Sequence, residues 1–214
     1  MGGCDIDQSD CMGFTPLIHA ARQGNEGVVR LLLTRDDINP DKPDNNGRTP
    51  LWWASNYGHE GVAKLLLARD DITPDKPDND STTPLWRASG SEHEGVVKLL
   101  LPRNDVNPNK VNKFGATPLS WACYRGYESI VTLLLKRDDI NPNTPKYHGH
   151  TPLWWASSGG YQGIVKLLLA HKDTDPKSIY EAYEMLTLLS DHKEVAALLQ
   201  PRATLFSELV SKQE

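Results

Sequence analysis

This chain lacks an excess of basic residues, and that excludes one large class of function. Lysine and arginine total 23 against 28 acidic residues, a formal net charge of −5. A protein that grips a phosphate backbone neutralises it with a basic stripe, so nucleic acid is not an expected partner. Cysteine is scarce as well. The three present (Cys4, Cys11 and Cys123) are odd in number and follow no regular spacing. That argues against a disulfide framework and suits a reducing compartment. No apolar run approaches the ~20 residues that cross a bilayer. The segment Met1 to Asp5 has no charged region followed by an apolar stretch and does not read as a secretory signal. Acylation at Gly2 or Cys4 is disfavoured, since Ile6 stands where the myristoylation pattern wants Ser or Thr. The expected location is the cytoplasm, with the nucleus as the alternative.

Catalytic signatures are missing too. The sequence has no phosphate-cradling Gly-x-x-x-x-Gly-Lys, no strand-linked Gly-x-Gly-x-x-Gly and no serine on a Gly-x-Ser-x-Gly turn. His59-Glu60 and His93-Glu94 open like a zinc-protease motif, but Ala63 and Val97 occupy the place of its second histidine. His148 and His150 are a candidate metal pair with no third ligand at metal-site spacing, and they read as turn histidines. Asp36, Asp37, Asp41 and Asp44 lack the alternating spacing and closing glutamate of a calcium loop, so they read as turn and cap residues. No cofactor, metal or enzymatic activity is expected. An unconventional site near His148 and Cys123 is the one enzymatic alternative.

What the chain does have is repetition. Thr-Pro recurs at Thr15-Pro16, Thr49-Pro50, Thr83-Pro84, Thr117-Pro118 and Thr151-Pro152, a step of 34 residues each time. Triple leucine follows in the same phase at Leu31–Leu33, Leu65–Leu67, Leu99–Leu101, Leu133–Leu135 and Leu167–Leu169. A fixed period of this length means one supersecondary unit stacked on itself, with stability summed over units and their interfaces.

One unit, from Asn46 to Asp80, shows the local physics. Asn46-Gly47 signals a turn. Thr49 then caps a helix whose first position, Pro50, has no amide to leave unsatisfied. That helix runs to Tyr57 and is stopped by Gly58. A second helix is expected from about His59 to Ala68, with Val62, Leu65 and Leu66 as its buried stripe. Asp70 to Asp78 then reads as a proline-punctuated loop.

The residues Gly47-Arg48-Thr49-Pro50-Leu51, Ala54, Gly58-His59 and Val62 to Leu67 resemble the ankyrin repeat, in five successive units over about residues 13 to 177. The resemblance implies an all-α solenoid of stacked helix-turn-helix units. Residues 1–12 would be an N-terminal tail, 13–177 five repeats, 178–200 a degenerate capping repeat and 201–214 a C-terminal tail holding a short amphipathic turn. Two departures stand out. The loop carries one extra residue and loses the usual glycine, so the second helix needs a different C-cap. The family's histidine after Thr-Pro-Leu is replaced by Ile18, Trp52, Trp86, Ser120 and Trp154. Tryptophan-rich units of this type resemble arrays abundant in filamentous fungi.

By resemblance, the turn tips and the exposed ends of the first helices line a concave groove that binds a protein partner. The expected function is a non-catalytic, monomeric interaction scaffold. The alternative is the ligand-sensing module, or a detached fragment, of a larger nucleotide-binding signalling receptor. On the groove the sequence places Arg48 and Tyr57, then Lys113, Phe114, Tyr124 and Arg125, then Tyr147, His148 and His150. Interface hot spots favour such aromatics and arginines, so the stretch from Lys113 to His150 is the main candidate. Its leading loop, Asn107 to Lys113, is basic where earlier loops are acidic, which suits an acidic or aromatic-anchored partner segment. Trp53, Trp121 and Trp155 read as core. Trp52, Trp86 and Trp154 lean toward the groove, where a structural and a binding role stay equally open.

Overall fold

Threonine and proline start the first helix of every repeat by separate means. The threonine Oγ1 accepts a hydrogen bond from the amide three residues on: Thr15 from Ile18 at 3.2 Å, Thr49 from Trp52 at 3.1 Å and Thr83 from Trp86 at 3.1 Å. Thr117 accepts from Ser120 at 3.0 Å and Thr151 from Trp154 at 3.4 Å. Proline takes the first helical position in all five, with φ already set for a helix. Each such cap contributes about 1 kcal/mol.

The computed structural model describes residues 5–146, 149–189 and 192–211. Among these residues there are twelve α-helices and no strand; a lone antiparallel bridge joins Lys146 and His150. The chain divides into two compact units, Met1–Lys113 and Phe114–Glu214.

The first unit holds three helix pairs: α1 (Pro16–Gln23) with α2 (Glu26–Leu32), α3 (Pro50–Tyr57) with α4 (Glu60–Leu67), and α5 (Pro84–Gly90) with α6 (Glu94–Leu100). First helices pack on first helices (α1 on α3, α3 on α5), and second helices do likewise. Leu17, Ile18, Leu51, Leu66, Leu85 and Leu100 are fully buried between them, each such side chain contributing about 1.5–3 kcal/mol. On α4 the buried stripe is Val62, Ala63 and Leu66, and Leu65 is only half-buried. This corrects the expected stripe. A two-turn helix presents a narrow inner face, and the small Ala63 rather than Leu65 lies on it.

The extra loop residue and the lost glycine are resolved by arginine. The residues capping α2, α4 and α6 (Leu33, Ala68 and Leu101) stay in right-handed helical geometry. Arg35, Arg69 and Arg103 each grip the aspartate two positions on (Asp37, Asp71 and Asp105) with two hydrogen bonds of 2.7–2.9 Å. Arg69 also donates to the carbonyl of Leu33 at 3.0 Å, and Arg103 to that of Leu67 at 3.3 Å. A cationic side chain thus satisfies an orphan carbonyl at the end of the preceding repeat's second helix.

The acidic loops stitch one repeat to the next. Asp7 accepts from the Asn39 amide at 2.8 Å and Asp41 from the Thr73 amide at 2.7 Å. Lys42, Lys76 and Lys110 reach back to the carbonyls of Asp7, Asp41 and Asp75 at 2.7–3.0 Å. Histidines at the start of α4 and α6 tie each repeat to the one before it. His59 Nε2 lies 3.0 Å from the Arg22 carbonyl and His93 Nε2 3.1 Å from that of Asn56. Gly58 permits this close approach. It sits at φ 72, and a Cβ there would come within 2.5 Å of the His93 ring. The third repeat puts other residues at the two left-handed positions, Ser81 at φ 60 and Glu92 at φ 61.

The second unit holds α7 (Pro118–Arg125) with α8 (Glu128–Leu134), α9 (Pro152–Ser158) with α10 (Gln162–Ala170), and a hairpin of α11 (Pro176–Leu189) with α12 (Lys193–Ser211). Leu119, Ile130, Leu134, Leu153, Ile164 and Leu168 fill its core. α11 packs on α9 and α12 on α10, so the hairpin continues the stack of this unit. The expected short turn near Leu205 is instead part of one helix that runs through Pro201. Burial of Ala203 and the packing of Phe206 on Tyr180, ring centroids 5.7 Å apart, hold the helix together past the proline. No described helix is long and apolar enough to cross a membrane.

Candidate partner-binding face

The first helices of each unit carry aromatic rings in adjacent positions, and cations cover them. In the first unit Trp52 and Trp53 meet edge to face with centroids 5.0 Å apart, and Phe14 meets Trp53 the same way at 5.5 Å. Arg22 lies over Phe14 and Trp53 at 5.7 and 5.3 Å. Arg48 lies over Trp52 and Trp53 at 5.0 and 5.2 Å, and Arg87 over Trp52 and Trp86 at 4.6 and 5.5 Å. The guanidiniums are attracted to the ring faces and shield them from water.

This arrangement corrects part of the tryptophan reading. Trp52 and Trp86 are only 2% and 6% exposed, so neither ring is open surface. The cause lies in the stacking of α3 against α5. The Trp52 indole donates to Thr82 Oγ1 at 3.3 Å in the next repeat's turn, which draws the ring inward. Trp53 is buried as expected, its indole donating to Asp44 at 3.2 Å. Tyr57 is 45% exposed and stacks on Trp53 at 5.9 Å.

The basic loop is also quieter than its composition suggests. Lys110 pairs with Asp75 at 3.1 Å and Lys113 with Asp80 at 2.6 Å. The loop's lysine charges are therefore largely answered within the first unit, which weakens their pull on an acidic partner.

In the second unit Phe114 is 49% exposed and Tyr124 44% exposed. Tyr124 packs on Trp121 at 5.4 Å and meets Trp155 edge to face at 5.2 Å. The Lys146 ammonium sits among these three rings, 4.0 Å from the Trp121 centroid, 4.3 Å from Tyr124 and 5.2 Å from Trp155. Lys146 is buried, and desolvation pushes its pKa down to about 8. Trp121 and Trp155, expected in the core, are half-buried beside it. Trp154 is half-exposed and stacks on His150, with centroids 3.7 Å apart and planes 9° from parallel. Arg125 donates to the Tyr127 hydroxyl at 3.0 Å. Tyr124, Arg125, Trp155, Ser158, Gly159 and Tyr161 line a cavity of about 370 Å³. Tyr147 and His148 lie outside the described residues. The structure thus brings Tyr124, Arg125, Trp154 and His150 together around the Trp155 side of this unit.

Cys123 is fully buried, and desolvation raises its pKa well above the ordinary thiol range. A thiol held neutral away from solvent is not a nucleophile, so Cys123 lends the enzymatic alternative no support. Two residues that cover these rings went unnoticed in the sequence, Arg87 in the first unit and Lys146 in the second. Their phase would have revealed them. Position 146 falls in register with Asp10, Asp44, Asp78 and Asn112, and position 87 with Trp53, Trp121 and Trp155.

Comparison with known proteins places this geometry in context. The family model for ankyrin repeats matches in three copies, over residues 1–78, 38–110 and 85–180. Among solved structures, the crystal structure of the ankyrin repeat domain of Bcl-3, described as a unique member of the IkappaB protein family, is 30% identical with a TM-score of 0.72. That match covers 80% of this chain and 75% of the Bcl-3 chain. In all, 506 solved chains match, so the fold alone selects no partner. Curated proteins yield no match. The fold is an ankyrin-repeat solenoid. Such domains bind protein partners and are typically non-catalytic.

Proposed function

The chain belongs to the ankyrin-repeat family, and from that premise we propose that it is a non-catalytic scaffold holding a protein partner on its first-helix face, the wall of the family's groove. One observation carries the reading. Phe114 and Tyr124 stay about half exposed on the second unit while Leu119, Ala122 and Cys123 beside them are fully buried. Large rings left open beside an arginine are the composition of interface hot spots. The cavity beside Tyr124 and Arg125 supplies concavity for an anchoring side chain.

The test is affinity capture by the wild type and by a Phe114→Ala, Tyr124→Ala, Arg125→Ala variant of equal helicity. A partner captured by the wild type and lost by the variant supports the reading. Identical captured sets would move the binding surface elsewhere on the chain. The sensing-module alternative has no separate observation in its favour.

A further inference from the structure

The repeats serve as controls for one another, and the first differs from the others on one face. Val62, Val96 and Ile164 share one phase of the second helices, and each is fully buried. Val28 holds the same place on α2 and is 40% exposed. Leu32 is half-buried where Leu66, Leu100 and Leu168 are fully buried. Leu31 is 70% exposed where Leu65, Leu99 and Leu167 are half-buried. Within each unit this is the face a repeat turns toward its predecessor. Glycine shows the same contrast. The carboxylates of Glu26, Glu60 and Glu128 lie against Gly61, Gly95 and Gly163 of the following repeat, where a Cβ would collide with them. Among the described residues, only Asn25 comes near such a Cβ at Gly27, at 3.7 Å. A terminal repeat that meets water carries a polar outer face, whereas this one carries valine and leucine.

The hairpin of α11 and α12 presents the opposite face, the one a repeat turns toward its successor. His192 Nε2 lies 3.2 Å from the Ser158 carbonyl, as His59 and His93 lie beside theirs, which sets α12 in phase with the second helices. By that alignment Ala196 stands where Val29, Ala63, Val97 and Val165 are fully buried, and it is only half-buried. Tyr183, Leu186, Lys193, Ala196, Ala197 and Gln200 line a cavity of about 330 Å³ between the two helices. Lys193 takes the first position of α12, a place the second helices give to Glu26, Glu60, Glu94, Glu128 and Gln162. One face thus offers apolar side chains beside a glutamate, and the other a groove beside a lysine.

We propose that the outer face of α2 docks on the α11–α12 face of a second copy, so that copies associate head to tail where the sequence led us to expect a monomer. Val28 and Leu31 enter the groove between α11 and α12, continuing the contact that consecutive repeats make. Lys193 of one copy lies over Gly27 of the next and meets its Glu26, whereas the repeats themselves set glutamate beside glutamate. Opposite charges at the joint fix its register and polarity. The contact is heterologous, each copy using one face of each kind. It involves neither Phe114 nor the first-helix face and stands apart from the scaffold reading.

Sedimentation equilibrium of the intact chain tests this. The weight-average mass of the wild type should rise above the monomer mass with a Kd on the order of 10–100 µM, as for a small interface. Val28 and Ala197 are exposed, so an aspartate at either leaves the core untouched. Val28→Asp and Ala197→Asp, each alone, should associate at least about 10-fold more weakly. Mixed, they should form a one-to-one dimer of wild-type affinity, because each retains the face the other has lost. Lys193→Glu should weaken association about 3-fold at low salt. Leu31→Asp replaces Val28→Asp if that variant loses helicity. A wild type that stays monomeric at about 500 µM, or mixed variants that do not pair, would overturn the proposal. So would an Ala197→Asp variant that dimerises alone with wild-type affinity, since two first-repeat faces would then be meeting each other.

Discussion

At the turns before α3 and α5 the buried position carries an aspartate, and at the turn before α9 it carries a lysine, although the 34-residue phase is the same. Asp44 and Asp78 each close their turn by accepting two backbone amides. Lys146 has no acceptor to offer. Its turn is closed by a backbone bridge with His150, at 2.8 and 3.1 Å, and the ammonium goes to the aromatic rings. The cations over the rings therefore differ. Arginines cover buried tryptophans in the first unit, whereas one buried lysine sits among half-exposed rings in the second. A single acceptor-to-donor change thus turns a structural turn into a different surface, while the helices around it keep their register.

The comparison has a common baseline that can be broken first. Leu66 and Leu134 occupy the same phase, one in each unit, and both are fully buried. Leu66→Ala and Leu134→Ala should each cost about 2–5 kcal/mol, and by similar amounts, in urea unfolding. A large inequality would mean the two units are not built from one packing unit.

The turn itself supplies the next contrast. Asp44→Ala strips the partners from two backbone amides and the Trp53 indole, and should cost about 2–3 kcal/mol. Lys146→Met keeps the volume and removes a charge that is costly to bury, so it should leave stability at neutral pH unchanged or raised rather than lowered. Its folded pKa is lowered from 10.5 to about 8 by burial. The unfolded chain then binds more protons between those values, so this group makes stability rise with pH from about 8 toward 10. Fluorescence of Trp121 and Trp155 should report a transition near pH 8 that Lys146→Met abolishes. A transition that survives the substitution would assign it to another group.

Backbone strain gives the smallest effect. Ser81 and Glu92 hold left-handed geometry where the other repeats use glycine. Ser81→Gly and Glu92→Gly should each raise stability by about 0.5–1 kcal/mol, with the melting temperature as the readout. A loss of stability in both would show that these side chains contribute contacts exceeding the strain.

Much of this architecture was legible because its signals are local. Thr49-Pro50 and Gly58 specify where α3 starts and stops within a few residues of themselves, and the structure places both ends there. The tryptophan orientations were not legible. Whether Trp52 faces a groove or a neighbour depends on Thr82, thirty residues away, donating no local signal until α3 and α5 are stacked. Arg69 and Arg103 stand one 34-residue step apart, a recurrence the sequence reading passed over, and their role required knowing that the loop folds back onto the preceding helix end. Pro201 reads as a helix stop, and only the packing of Ala203 and Phe206 explains why α12 continues. On the candidate face, composition identified Tyr124 and Arg125, but the paired lysines of the loop before Phe114 could not be separated from free ones without their aspartate partners.

Amide hydrogen exchange of the chain with and without a captured partner tests the central claim most directly. The account predicts slowed exchange in the turns and first helices, including α3, α7 and α9. Slowed exchange confined to the second helices α4, α8 and α10 would contradict it.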